Sequence, residues 1–343
     1  MSRIWLLVVR AYISVGMFFY FRRIKIYDVK NVQKDKPVLL LSNHQNALLD
    51  ALLIATKCGR LSYFLTRAAV FNKPFIAKIL KSLQMLPVYR MRDGWGNLAN
   101  NNAIFETCSK LLGDNACVVI FPEGNHSLKR TVRPFSKGFT RIVLDTLDKK
   151  PDLDLQLLPV GVNYTNAESF PDSTSIYFGE PIAARNYVSE NKNESVVNLK
   201  SKIQYEISKL TTHIPKDNYE GILSKLEGLS VDFLNPKAVN NCVASEFKDC
   251  GIATTNSLNV FKQFFNFLLK LAFIFPYLVW KFMAKPKIKD AEFVSTFRFA
   301  LAVTLAPLWL IIMFAVCAFT FGLQFAFGYL IISLIIVLLA VKL

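Results

Sequence analysis

Between about residues 30 and 215, short apolar runs alternate with stretches of helical spacing. The runs are Val38–Ser42, Leu61–Thr66, Met85–Tyr89, Ala116–Phe121, Leu155–Val162 and Ile176–Phe178. Helix-like stretches lie between most of them, at Pro74–Leu83, Asn97–Leu112 and Lys137–Asp148, with a further helix over 197–212. Runs this short and continuously apolar read as strands buried on both faces. Strands alternating with helices predict an α/β domain with a mostly parallel sheet flanked by helices.

The pattern changes at both ends. Ile4, Leu7, Val8, Tyr12, Val15 and Phe19 recur at helical spacing, interrupted by Arg10 and followed by Arg22, Arg23 and Lys25. A span needs about 20 apolar residues, so this helix is expected to lie in or dip into a bilayer, the alternative being an ordinary buried helix. Residues 232–257 are polar and irregular. Leu258–Met283 is apolar and aromatic but carries Lys262, Lys270 and Lys281, as suits an interfacial or re-entrant helix with snorkelling lysines. Phe299–Phe321 and Gly322–Val341 hold no charged residue, which predicts two spans joined as a hairpin near Gly322. The expected organisation is an N-terminal membrane-associated helix (1–29), an α/β domain (30–231), a linker (232–257) and a C-terminal membrane region (258–343). That last region divides into the interfacial helix 258–283 and the transmembrane hairpin 299–341.

Composition sharpens this. The chain has 343 residues, is 52% hydrophobic and carries a net charge of +16, with a mean hydropathy of +0.31. An apolar share that high points to a membrane component. The basic balance fits nucleic acid, an anionic membrane or an anionic substrate, so its placement decides. Lys281, Lys285, Lys287, Lys289 and Arg298 precede the hairpin and Lys342 follows it. The positive-inside rule then places both hairpin ends, and the α/β domain, on the cytoplasmic face of the cell membrane, and nucleic acid is not an expected partner. The six cysteines form no C-x-x-C pair and no zinc-ligand spacing, so no metal is expected and the thiols read as reduced and structurally incidental.

Polar clusters follow the strands. The first runs into Asn43-His44, the second into Arg67, the third into Arg90, and Val118–Phe121 into Pro122-Glu123-Gly124-Asn125-His126-Ser127. Ligands of open parallel sheets bind beyond the carboxyl ends of the strands, so these clusters converge on one rim. His44 and Asp50 cannot meet on a regular helix, where six residues leave them about 120° apart and about 9 Å along the axis. With His44 in the preceding loop and Asn46 as N-cap, Asp50 falls in the opening turns and can accept from one imidazole nitrogen. The other nitrogen is then free as a base. For a single pair, an incidental capping loop is the competing reading. His213, in TTHIP, reads as a helix C-cap.

The segment NHQNALLD, the arginine after LPVYR, FPEGNHS and then LLPVGV, in that order over about residues 37–180, resemble the glycerol-phosphate and lysophosphatidic acid acyltransferase family. There are two departures. The commonest form of the first motif has one residue fewer between histidine and aspartate; the spacing here resembles the glycerol-phosphate and dihydroxyacetone-phosphate branch. FPEGNHS has Asn125 and His126 where the family usually has threonine and arginine.

The resemblance implies transfer of a fatty acyl group from acyl-CoA or acyl-carrier protein to a hydroxyl of glycerol-3-phosphate or 1-acyl-glycerol-3-phosphate, in phospholipid biosynthesis. His44 would be the general base and Asp50 its orienting carboxylate. Arg90 would hold the acceptor phosphate, with Glu123 and Gly124 on the same edge and Arg67 and Lys137 as further cations. No cofactor is implied beyond the donor thioester, and the lipid bilayer is an expected partner. The rival readings are the same fold with another lysophospholipid or amino-lipid acceptor, and a basic, membrane-anchored binding protein without catalysis.

Overall fold

The computed structural model describes residues 3–89, 99–251 and 259–343. Its centre is a sheet whose strands are β1 (Phe21–Tyr27), β2 (Val38–Ser42), β3 (Ser62–Arg67), β4 (Met85–Val88), β5 (Cys117–Ile120), β6 (Gln156–Tyr164), β7 (Asp172–Phe178) and β8 (Ile182–Ala183). The order is β1-β7-β6-β2-β5-β3-β4, with the short β8 on β6. Strands β6, β2, β5, β3 and β4 run parallel. Strand β7 turns back antiparallel to β6 and carries β1 parallel to itself. The expected fold class, a mostly parallel sheet flanked by helices, is the observed one.

Helices α1 (Arg3–Tyr20), α2 (Ala47–Lys57), α3 (Pro74–Ser82), α4 (Asn101–Gly113), α5 (Gly138–Lys149) and α6 (Lys192–Leu210) surround the sheet. The alternation of side chains along a strand explains the two layers. From β2, Val38 and Leu40 point into a core shared with Met17 and Tyr20 of α1, and with Leu49 and Leu53 of α2. Leu39 and Leu41 point the other way, against Phe105 of α4, Phe139 of α5 and Leu199 of α6. Strand β2 is therefore covered on both sides, as its unbroken apolar sequence requires. On β6, Gly161 lets the end of α6 approach so closely that a Cβ there would overlap the Leu210 carbonyl.

Two expected boundaries shift. Residues 21–27 do not belong with the N-terminal helix: α1 ends at Tyr20 and FRRIKIY forms β1. Its charged Arg23 and Lys25 alternate with Ile24 and Ile26, a period of two that suits an edge strand guarded by cations. Nor is 232–257 a bare linker. After α7 (Tyr219–Gly228), α8 (Pro236–Ala244) starts at Asn235, whose side chain accepts from Ala238 N–H. Val239 and Cys242 of α8 join Ile214, Tyr219, Leu226 and Phe233 in a small third core. The reading of all cysteines as reduced is corrected at the same place. Cys242 and Cys250 form a disulfide that closes the chain after α8, whereas Cys58, Cys108 and Cys117 are buried free thiols.

The C-terminal part holds α9 (Asn259–Ala272), α10 (Ile274–Leu278, continued by a π-helical turn Val279–Ala284), α11 (Val294–Phe321) and α12 (Leu323–Lys342). The bend between α9 and the helical stretch from Ile274 is 99°. Gly322, at φ +98°, makes the hairpin between α11 and α12 in a conformation that side chains disfavour. Among the described residues, α1, the α11 helix and α12 are long and apolar enough to cross a membrane. The hairpin is docked, not hanging free. Gly16 of α1 lies against Val303 and Phe299 of α11, and Lys342 Nζ donates to the carbonyls of Phe18 and Phe21, each at 2.7 Å.

Candidate active site

The site begins where β2 leaves the sheet. Asn43 continues the strand pairing with its side chain: Nδ2 donates to Val162 O at 2.9 Å and Oδ1 accepts from Val162 N–H at 2.8 Å. The amide thus stands in for one rung of ladder to β6 and releases the backbone into a loop at His44. Ser127 N–H donates to His44 O at 3.0 Å, and Gln45 Nε2 donates to Leu128 O at 2.9 Å. These two bonds fasten the NHQN loop to the FPEGNHS loop after β5.

Asp50 lies in the first turn of α2 with no solvent exposure. Its Oδ2 accepts from His44 Nδ1 at 2.8 Å and from the backbone N–H groups of Gln45 and Asn46, each at 2.8 Å. Its Oδ1 accepts from the Tyr164 hydroxyl at 2.6 Å. Four donors converge on one buried carboxylate, which also sits where a helix N-terminus favours negative charge. Nδ1 of His44 is thereby the protonated nitrogen, and Nε2 keeps its lone pair. Asn46 holds the N-cap position as expected, but its side chain makes no capping bond; Nδ2 donates instead to Ala167 O at 3.0 Å.

The imidazole is 16% exposed. It stacks on Phe121 with ring centroids 4.0 Å apart, and His126 meets it edge-on at 5.7 Å. His126 in turn meets Phe293, just before α11, at 4.6 Å. The C-terminal hairpin touches this rim at several further points. Leu48 N–H donates to Thr296 Oγ1 at 3.3 Å, Ser295 Oγ donates to Ala167 O at 2.6 Å, and Arg298 Nη2 donates to Glu168 O at 3.0 Å.

The cavity that His44 lines also has Glu123, Ser127, Lys129 and Thr131 in its walls. Glu123 is nearly buried and paired with Arg133, whose Nε donates to Oε2 at 2.8 Å and whose Nη2 reaches the same oxygen. The Arg133 guanidinium also spans to the Asn125 side chain and carbonyl. Burial pushes the Glu123 carboxyl above the usual range, and Arg133 works against that rise. Gly124 turns the loop at φ +75° with open space around it.

The other expected residues fall as follows. Arg67 ends β3 on the same rim and is exposed. Lys137 is exposed at the N-cap of α5, next to Ser136, whose N–H donates to Pro122 O at 2.8 Å. Arg90 lies outside the described residues. His213 is not a helix cap. Its Nδ1 accepts from Val132 N–H at 3.0 Å, which ties the loop after the FPEG segment to the end of α6.

Four participants were not singled out by sequence. Tyr164 and Gln45 brace the His-Asp pair, Arg133 holds Glu123, and Lys129 brings a cation to the cavity. Lys129 bonds Glu220 at 3.4 Å between exposed side chains, a contact worth little in water. Only Arg133 carried a usable signal, as a cation ten residues after a glutamate held in a tight glycine turn. Arg130 lines the cavity too, but it is structural: its Nη atoms donate to Tyr164 O and Thr165 O at 2.9 and 2.8 Å.

The geometry therefore defines one class of protein, an α/β fold with a carboxylate-braced imidazole and several cations on the carboxyl rim of its sheet. Residues 23–163 match the family model described as Acyltransferase. It is 25% identical over 130 residues to glycerol-3-phosphate O-acyltransferase 1 of Saccharomyces cerevisiae, covering 36% of this chain and 17% of that protein. An uncharacterized acyltransferase of Schizosaccharomyces pombe is 26% identical over 125 residues, 35% of this chain and 18% of the relative. A probable 1-acyl-sn-glycerol-3-phosphate acyltransferase of Mycoplasma genitalium is 25% identical over 162 residues, 45% of this chain and 54% of the relative. The chain thus spans under a fifth of the two yeast proteins and about half of the third. Among solved structures, the 1-acyl-sn-glycerophosphate (LPA) acyltransferase of Thermotoga maritima is similar over 59% of this chain and 78% of its own, with 18% identity and a TM-score of 0.43.

Proposed function

We propose that this protein is a membrane-bound O-acyltransferase of phospholipid biosynthesis. It moves a fatty acyl group from acyl-CoA or acyl-carrier protein to a hydroxyl of glycerol-3-phosphate or 1-acyl-glycerol-3-phosphate. The observation that carries this reading is the 2.8 Å bond from His44 to the buried Asp50, on the rim shared with Glu123 and Lys129.

In the reaction, His44 Nε2 takes the proton of the acceptor hydroxyl as that oxygen attacks the thioester carbonyl carbon. The carbonyl π electrons move onto oxygen, giving a tetrahedral oxyanion. On collapse the C–S bond breaks, and the departing thiolate takes the proton back from the imidazolium. Products are an ester and a free thiol, and His44 is restored. General-base help from His44 is worth about 10²–10⁴-fold, while Asp50 stabilises the imidazolium and holds its ring. A thioester is already activated, so no acyl-enzyme is required and Ser127 needs no role as nucleophile.

The acceptor phosphate requires cations. Arg90, Arg67, Lys137 and Lys129 are the candidates, arginine being the better forked partner for a phosphate. The lysines at 285, 287 and 289 before the hairpin support a catalytic domain on the cytoplasmic face of the cell membrane, against anionic headgroups. An assay of purified protein in detergent, with glycerol-3-phosphate, dihydroxyacetone phosphate and lysophosphatidic acid as alternative acceptors, tests the reading. One acceptor should be acylated and His44→Ala should abolish turnover; undiminished activity in that variant removes His44 as the base.

A further inference from the structure

The cavity at His44 is lined by polar side chains such as Glu123 and Lys129, and near it stand large apolar side chains, two of which, Phe293 and Phe297, lie outside the matched family region. Phe293 meets His126 at 4.6 Å, and His126 meets His44 at 5.7 Å. Phe293 and Phe297, one helical turn apart, face each other at 6.3 Å. Leu48, in the first turn of α2 directly after the histidine loop, is bonded through its N–H to Thr296 between them. Leu48 is 41% exposed and Phe297 49% exposed. Large apolar side chains left open near the His44–Asp50 pair form a lip that water solvates poorly.

We infer that Phe293, Phe297 and Leu48 seat the hydrocarbon chain of the acyl donor, so the C-terminal hairpin is a specificity element as well as an anchor. The inference rests on the acyl-transfer reading above. The donor, not the acceptor, belongs here because polar groups line the cavity at His44, whereas this lip presents exposed apolar side chains. The acceptor's phosphate needs the cations of the cavity, while the thioester carbonyl must reach the hydroxyl at Nε2 with its chain directed away from them. The lip also continues into α11, whose apolar surface is suited to lipid, so the chain passes between hydrocarbon and site without crossing water.

The test measures kcat/KM with palmitoyl-CoA and butyryl-CoA at a fixed acceptor. Phe297→Ala, at a half-exposed position that the fold tolerates, and Phe293→Ala should each lower the palmitoyl value about tenfold or more. The butyryl value should stay within about threefold, because a short chain does not reach the lip. Phe293→Leu should restore most of the palmitoyl rate. Equal losses on both donors, or none, overturn the seat and leave the acyl-transfer reading standing. A loss that instead follows the chain length of a lysophospholipid acceptor at fixed donor overturns the donor assignment. A wild-type protein that turns over no thioester with any acceptor overturns both readings.

Discussion

Tyr164 donates its hydroxyl proton to Asp50 Oδ1 at 2.6 Å, on the oxygen that His44 does not use, from a strand 114 residues further along the chain. Both residues are wholly buried, and burial beside that carboxylate holds the phenol well above its ordinary pKa, so it remains a donor. The histidine's partner is thus itself held from β6. Tyr164→Phe should cost about 1.5–3 kcal/mol of stability, as expected for removing one hydrogen bond to a buried charge. It should also lower kcat more than it raises KM, since Asp50 loses one of the four donors that hold it against His44. Denaturant unfolding beside steady-state kinetics checks this; a variant unchanged in both would show that the brace is idle.

Among the described residues, Arg133 is the cation that pairs with the nearly buried Glu123. Removing it leaves a carboxylate in a dry loop. Arg133→Met should therefore destabilise the protein by about 2–4 kcal/mol, toward the lower end because Arg133 keeps some exposure. The double variant Glu123→Gln with Arg133→Met should recover part of that loss. If the two single changes simply add, the pair is not coupled and Glu123 is held by something else.

Asp172 opens β7 beside the loop that receives Asn46, and burial raises its pKa from 3.8 to about 7. Between those values the folded protein holds a proton that the unfolded chain has released. Linkage then makes stability fall as pH rises from about 4 to about 7, with no further contribution from this group above that. Asp172→Asn should flatten that part of the profile. Thermal unfolding at pH 5 and pH 7.5 measures it, and an unchanged difference between the two pH values would dismiss the assignment.

Gly161→Ala places a methyl group on the Leu210 carbonyl at the end of α6. Backbone must move to admit it, at about 1–3 kcal/mol. Because Asn43 is pinned to neighbouring Val162, the shift should reach His44, and activity should fall with stability. A fully active, equally stable Ala variant would mean that α6 yields freely.

Strands β2 to β6 were legible because unbroken apolar runs such as VLLLS and QLLPVGVNY admit little else between helical stretches. Strand β1 was hidden by its own charges: Arg22, Arg23 and Lys25 read as a membrane flank, and only pairing with β7 reveals an edge strand. The His44–Asp50 pair could be read from NHQNALLD since both partners lie within one loop and one helical turn. Tyr164 and the α11 contacts could not be read, because sheet order and helix docking bring them in from distant sequence. The small core around α8 was missed for a related reason, as Val239, Cys242 and Phe233 are too sparse to give a periodic signal.

Ser295, Thr296 and Arg298 bond to backbone at Ala167, Leu48 and Glu168, well over a hundred residues upstream. A ribosome that has released the whole sheet has still to release this clasp. The rim at His44 is therefore complete only once the start of α11 has docked on residues far upstream.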